Sequence, residues 1–394
     1  MSRLTWRFSA FDSLFFRESR PFDTIGGSEL SSVFPPSPVT MAGAIRSIIG
    51  EHHRVVWSNY PHGYAELKTQ IGDSDSLGNM RLKGIFLSRQ MAENCWERLY
   101  PVPAHLVATK EKAEIKALHF LQVGKPVHCD LGAGVCLAVA PKDIKGIKSL
   151  EGYWLTLAGL SQVLNGLLPD TCELIASSEL FKYEARLGIA RNNQQRTAEK
   201  GMLYQTQHIR PKNSVAIEVG VEGLDAIEYP RSGITRLGGE GRGAAFEVSA
   251  VDEKVIETDY SKTDILGIKL VLLSAVYVPQ LKDYTPLPDF KKIEQDGNSV
   301  WQGQINGIAL TIHCAVIGKV LREGGWDLRN KQAKPVRSLI PAGSVFYCTV
   351  QGDIKTALEK LQISQIDPDN KDSLDNQSGR GLFTAGFWFK HDSI

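Results

Sequence analysis

The sequence lacks a long apolar run. No stretch approaches the roughly 20 residues that cross a bilayer as a helix, and the longest, Ile265 to Val278, contains Lys269 and reads as a buried strand. Paired cysteines are also missing. The six present (Cys95, Cys129, Cys136, Cys172, Cys314 and Cys348) form no CxxC pair, and His128 with Cys129 and Cys136 does not match the spacing of zinc ribbons and fingers. Buried small hydrophobes are the simpler reading of these cysteines, and no metal is expected. The N-terminus, Met1 to Arg7, runs straight into alternating sequence. No signal peptide is expected there, and the chain reads as reduced and cytoplasmic. Net charge is scarce too, at +1.

What is present is 394 residues, 42% apolar and 23% charged, a globular composition too long for one ordinary core and suited to two domains. The charge is segregated. Lys182 to Lys212 holds seven basic and two acidic residues, and Lys319 to Arg337 holds six basic and two acidic, so the two segments carry net +5 and +4 against −8 elsewhere. Such stretches suit a protein that touches phosphates on one side and proteins on another, or they are two solvated loops.

Leu4 to Phe8 alternates and opens the chain as a strand. Thr40 is placed to cap a helix over Met41 to Ile49, closed by Gly50. Ser58 to Asn79 is polar and reads as an insertion or mobile loop. Strands are expected at Gly84 to Leu87 and Val135 to Val139, and a second helix is expected from a Ser149 cap to Leu168, stopped by Pro169. Beyond it, Val215 to Val221 alternates, and further strands are expected at Ala245 to Ala250, Leu266 to Val278, Ile308 to Ile317, Ser344 to Val350 and Leu382 to Phe389. A helix over Asp353 to Leu361 precedes the last. The order in the first half is βαββαβ, and the second half ends in the same way. The fold class is therefore α+β, as two fused ferredoxin-like domains, 1–210 and 211–394.

Four segments carry candidate chemistry. Leu237-Gly238-Gly239-Glu240-Gly241-Arg242-Gly243-Ala244 contains a G-x-G-x-x-A pattern, but alternating Phe246-Glu247-Val248 follows where a dinucleotide fold needs a helix. No cofactor is expected. The loop reads either as bare backbone that lets phosphates approach, with Arg242 to pair with one, or as a bend at a sheet corner. Gly379-Arg380-Gly381 opens a second glycine-rich run, an RNA contact or a flexible entry to the last strand. Two strand-like pieces around Arg186 and Tyr204 flank Arg191 to Lys200, which include Arg196; this is a projecting basic hairpin suited to wedging into nucleic acid. Tyr204 is placed to stack on a base or to pack in a core. The fourth is Gly324-Gly325-Trp326-Asp327, followed by a basic loop with Lys331, Lys334 and Arg337.

Together with Leu14-Phe15-Phe16-Arg17, Arg20-Pro21-Phe22 and Pro35-Pro36-Ser37-Pro38-Val39-Thr40-Met41-Ala42-Gly43-Ala44-Ile45-Arg46, these islands resemble, in order, the Cmr-module RAMP subunit family of type III-B CRISPR effectors. The resemblance runs from residue 6 to 389. It implies two fused ferredoxin-like folds with glycine-rich loops. It implies a seat beside the large polymerase-type subunit and a backbone RAMP subunit, and binding of the 5′ tag of the CRISPR RNA, with a hairpin that separates tag from spacer. No catalytic residue is implied. The RNA-binding set on this reading is Arg17, Arg20, Ser37, Thr40 and Arg46 near the first helix. The hairpin adds Arg186, Arg191, Arg196 and Tyr204. Gly238, Gly239, Gly241 and Arg242 follow in the first glycine loop, then Lys331, Lys334 and Arg337, and Gly379, Arg380 and Gly381. Residues 58–79 and 363–378 depart from the family pattern. The alternative is a RAMP-type endoribonuclease processing repeat RNA, with His52 or His53 as its acid or base.

Overall fold

In the computed structural model the described residues are 3–17, 29–93, 95–112, 114–192, 197–251, 256–278, 285–327, 332–366 and 373–392. The chain forms two units, each assembled from three stretches: 1–98, 177–252 and 322–337 in the first, and 99–176, 253–321 and 338–394 in the second. Residue 210 lies inside the first unit, so the units do not follow one cut there. Element order along a chain does not report which elements share a core.

In the first unit, five strands lie side by side in the order Arg81–Ala92, Val215–Glu222, Leu4–Ala10, Gly243–Ala250 and Ser232–Arg236, each antiparallel to its neighbour. Alternation in the opening strand puts Trp6 and Phe8 out of water, and Phe246 sits opposite Phe8 in register. The helix Pro38–His52 buries Met41, Ala42, Ala44, Ile45, Ile48 and Ile49. Its cap is Ser37, not Thr40. The Ser37 hydroxyl accepts the Thr40 amide at 3.3 Å, and Pro38 stands at the first helical position, where its missing N–H costs nothing. The stretch read as an insertion or loop contains the helix Ala65–Ile71, with Leu67 and Ile71 buried.

In the second unit the strands run Lys291–Gln295, Asn298–Ile305, Ile308–Val316, Val345–Val350, Ile265–Leu272, Leu382–Phe389 and Ser364–Gln365. The helix Ile354–Leu361, capped by Asp353 through the Thr356 amide at 2.8 Å, lays Ala357, Leu358 and Leu361 on a core shared with Phe346, Phe383 and Phe387. The second expected helix is shorter and starts later. It spans Leu157–Leu164, and Thr156 caps it by accepting the Gly159 amide at 3.1 Å. Ser149 instead ends the strand Ile147–Ser149, and Tyr153–Leu155 is a strand. The helical spacing of Leu150 and Trp154 was coincidental, because Gly152 at φ 78° turns the chain between them.

The core of this unit holds an unusual histidine. His105 is fully buried, its ring stacked on Phe120 at 5.0 Å and edge-on to Tyr347 at 6.1 Å. Neither ring nitrogen has a hydrogen-bond partner among the described residues. Burial, and then the nearby Lys269 ammonium, hold its pKa well below the ordinary 6.5. The unfolded chain takes up a proton near 6.5, and the folded chain resists it. This contribution to stability is therefore complete above about pH 6.5 and declines as pH falls below it, by up to about 1.4 kcal/mol per pH unit. His208 and His313 are also shifted downward by burial and act with the same sign. His105→Phe keeps the stacking and is expected to stabilise the protein at pH 5 more than at pH 7.5. Urea midpoints at the two pH values report this, and an equal change at both would remove His105 as the source.

Candidate nucleic-acid interface

The basic hairpin is longer than the sequence suggested. Its strands are Phe181–Asn192 and Thr197–Pro211, leaving only 193–196 between them. Register places Lys182 opposite Arg210, Glu184 opposite His208, Arg186 opposite Thr206 and Gly188 opposite Tyr204. Cross-strand partners point to the same face, so one face carries the charged residues and ends at Tyr204, whose ring packs where a side chain on Gly188 would be. The other face exposes Tyr183 and Leu187.

Residues 11–16 run beside the base of this hairpin and are fastened on both sides. Leu14 and Ile209 exchange backbone hydrogen bonds at 2.7 and 2.8 Å, and the Phe15 carbonyl accepts the Gly239 amide at 2.8 Å. The glycine loop is thus docked on the chain itself. Gly238 has φ 80°, and a Cβ there would sit 2.5 Å from the Phe15 oxygen; one on Gly239 would meet the Phe15 ring at 3.1 Å. The close approach these two glycines permit is made by Phe15. Gly241, at φ 63°, faces open space. Gly238→Val is expected to cost roughly 2–4 kcal/mol in a urea melt, since strain and a backbone clash add. Gly241→Ala should cost about 1 kcal/mol, the left-handed penalty alone. Equal costs at both sites would contradict this docking.

Ion pairs converge where the three segments meet. Arg210 donates to Asp12 Oδ1 at 2.5 Å, Arg186 to Oδ2 at 3.2 Å, and Arg242 to Oδ2 at 3.5 Å. Glu184 accepts from Arg186 Nε at 2.7 Å and Arg210 Nε at 2.6 Å. Arg210, first among several donors, holds both carboxyls below the usual carboxylate range. Beneath them His208 is buried, its Nδ1 3.2 Å from the Ser13 hydroxyl and its ring stacked on Phe15 at 5.0 Å. Burial, then Arg186 and Arg242, lower its pKa, so it is neutral at pH 7.

The structure brings together Arg186, Tyr204, Gly238, Gly239, Gly241 and Arg242. Ser37 caps the first helix by accepting the Thr40 amide, and the two hydroxyls lie 2.9 Å apart. Arg46 lies along that helix beside Tyr60, and burial lowers its pKa. Arg17 is exposed and forms a bridge to Ser32. Lys334 is exposed, its amide bonded to the Gly325 carbonyl at 2.9 Å, and Arg337 pairs with Glu323 at 3.3 Å. Gly379, Arg380 and Gly381 belong to the second unit. There the Arg380 side chain is 3% exposed and 3.0 Å from Asp375, and the Gly381 amide bonds the Ala275 carbonyl. Arg20, Arg196 and Lys331 lie outside the described residues, and of Arg191 only the backbone, paired with Ala198, is described. His53 holds the Glu228 carbonyl at 2.8 Å, with His52 edge-on to it. Among the described residues no group of three His, Cys, Asp or Glu is placed to hold a metal. No helix among them is long and apolar enough to cross a membrane.

Sequence reasoning missed Asp12, Ser13, Glu184, His208 and Arg210 as members of this cluster. The available signal was the alternation Lys182, Glu184, Arg186 against His208, Arg210, which puts charge on one hairpin face.

The fold and this face define an α+β, strand-rich protein with several antiparallel sheets and a preformed arginine cluster. The sequence profile of the family described as CRISPR-associated protein (Cas_Cmr3) matches residues 6–388. The chain belongs to that family and is a Cmr-module RAMP subunit of type III-B CRISPR effector complexes. Similar solved chains come from the type III-B Cmr-beta complex bound to cognate target RNA and AMPPnP (15% identity, TM-score 0.46, covering 91% of this chain and 92% of that one). The same complex with cognate target RNA gives 16% identity and a TM-score of 0.44, covering 91% and 93%. The Csm3–Csm4 subcomplex of the type III-A interference complex gives 14% and 0.36, covering 90% and 94%. The search of curated proteins finds no match.

Proposed function

We propose that this chain is the non-catalytic subunit that holds the 5′ tag of the CRISPR RNA and docks the large polymerase-type subunit and a backbone RAMP subunit in the cytoplasm. The observation that carries the reading is the hairpin base, where Arg186, Arg210 and Arg242 converge at the solvent-facing Asp12 beside an open turn at Gly241. Guanidinium forks suit phosphate oxygens in two-point fashion. Single-stranded RNA is read by splaying and stacking bases next to such contacts. Segregated charge supports protein contacts on the acidic remainder. The α+β architecture fits two fused ferredoxin-like folds, with the hairpin projecting from the first unit.

The hairpin tip tests this. Replacing 193–196 with a Gly-Ser turn is expected to weaken binding of a guide carrying the repeat-derived tag about tenfold more than binding of a random RNA of equal length. Equal losses for the two RNAs would make the hairpin a general electrostatic contact and would sink tag recognition at this site.

A further inference from the structure

Asp12 poses a problem that the RNA-holding reading leaves open. Three arginines, two from the hairpin strands and one from the glycine loop, point at one carboxylate, and that carboxylate is not buried: its side chain is 47% exposed, against 44% for Arg210, 30% for Arg186 and 23% for Arg242. An exposed ion pair contributes little to stability, so three of them are a poor reason to gather the arginines. Asp12 uses both oxygens, Oδ1 for Arg210 and Oδ2 for Arg186 and Arg242. The arginines are far from saturated. Each offers five N–H groups, yet Arg242 spends one at 3.5 Å on Asp12, and its Nε is buried without a partner among the described residues.

Glu184 anchors Arg186 and Arg210 from behind through their Nε atoms. Arg186 Nη2 is shared, 2.6 Å from Glu184 and 3.2 Å from Asp12, while Arg210 Nη1 reaches Asp12 alone, so Glu184 holds both guanidinium planes facing the place Asp12 fills. Lys182 stands on the same hairpin face, and Glu240 lies in the adjacent loop. The cluster is therefore a preorganised cradle for a tetrahedral oxyanion, with a carboxylate of the protein sitting in it.

We infer that Asp12 is a resident anion occupying a phosphate-binding site, and that a phosphodiester oxygen of bound RNA displaces it. This rests on the reading of the hairpin base as an RNA contact, and it adds that the apo site is closed by its own carboxylate. Displacement is an exchange of one anion for another on the same three guanidiniums. Displaced, the Asp12 side chain turns to solvent, which it already half faces. The exchange makes binding weaker than the arginines alone would allow, and it discriminates against lone anions that cannot recover the loss through neighbouring contacts.

The test uses the full chain with Asp12→Asn, which keeps the shape and removes the charge. Two probes are read. With single-stranded RNA carrying the repeat-derived tag, Asp12→Asn is expected to bind roughly threefold to tenfold tighter than the parent at an unchanged salt slope, because the same phosphate meets the same guanidiniums in both. With inorganic pyrophosphate, at ionic strength matched with chloride, Asp12→Asn is expected to gain thermal stability where the parent gains little. Weaker RNA binding by Asp12→Asn would make Asp12 an organiser of the arginines and overturn the inference. Failure of pyrophosphate to stabilise Asp12→Asn beyond the parent would overturn it whatever the RNA does. If Asp12→Asn gains pyrophosphate binding while Arg242→Ala leaves RNA binding intact, the anion site stands and the RNA reading falls.

Discussion

Asp392→Ala is expected to destabilise the protein by about 3–5 kcal/mol, the cost of leaving one member of a buried ion pair without the other. Lys269 lies mid-strand in the second unit with 1% of its side chain exposed, and its ammonium is 3.2 Å from Asp392, which is 3% exposed. The same Asp392 oxygen accepts the Phe389 amide at 3.1 Å. Burial pushes the Lys269 pKa down, and Asp392 opposes that. Among the described residues the Phe120 ring lies 5.3 Å from the ammonium, and His105 beside it is held neutral. Alanine at 392 therefore strands a cation in an apolar core. The double change Lys269→Met with Asp392→Leu should recover most of the loss, because apolar residues of similar volume often replace a buried pair without penalty. Urea melts read at unchanged m-value measure both. A loss under about 1 kcal/mol for Asp392→Ala would show that Lys269 escapes to water or gives up its proton at little cost.

The combined change Arg186→Ala, Arg210→Ala and Arg242→Ala is expected to weaken binding of tagged RNA about a hundredfold at low salt. The slope of log K against log salt should flatten by about 0.7, for the one phosphate that the three guanidiniums share on a single strand. The fold should survive, because the carboxylates left behind, Asp12 and Glu184, are 47% and 31% exposed and remain hydrated. Filter binding across a salt series reads both quantities. An unchanged slope would mean that the arginines serve only to hold 11–16 against the hairpin.

The parts legible in the sequence are those settled within a few residues. Leu382–Phe389 is a strand with the bounds expected, and the helix expected over Asp353 to Leu361 is present as Ile354–Leu361, with Asp353 as its cap. The strand after the glycines, Gly243–Ala250, also follows from local alternation, and it removes a dinucleotide loop from consideration. Errors came where a local pattern had two solutions. Leu150 to Leu168 carries helical spacing, yet a turn at Gly152 splits it into strand and helix. Both Ser37 and Thr40 are good caps, and Pro38, acceptable only at the helix start, decides for Ser37.

The amino-acid sequence by itself determined the α+β class, most strands, the helix over 354–361, the basic hairpin and the family. All of these follow from periodicity, capping and motif order, which act through neighbours along the chain. Only the tertiary structure decided what the charged and glycine residues do. Arg242 meets Asp12 across 230 positions, and His208 meets Ser13 across 195. Such pairs depend on sheet register, and a one-residue slip would turn each side chain to the other face. Gly238 yields to the Phe15 carbonyl, Arg380 is closed off beside Asp375, and Lys269, in a run that reads from sequence as a buried strand, finds its partner in Asp392. Composition counts a charge, but its partners and its distance from water are set by the fold, and those fix whether it binds a phosphate or props up a core.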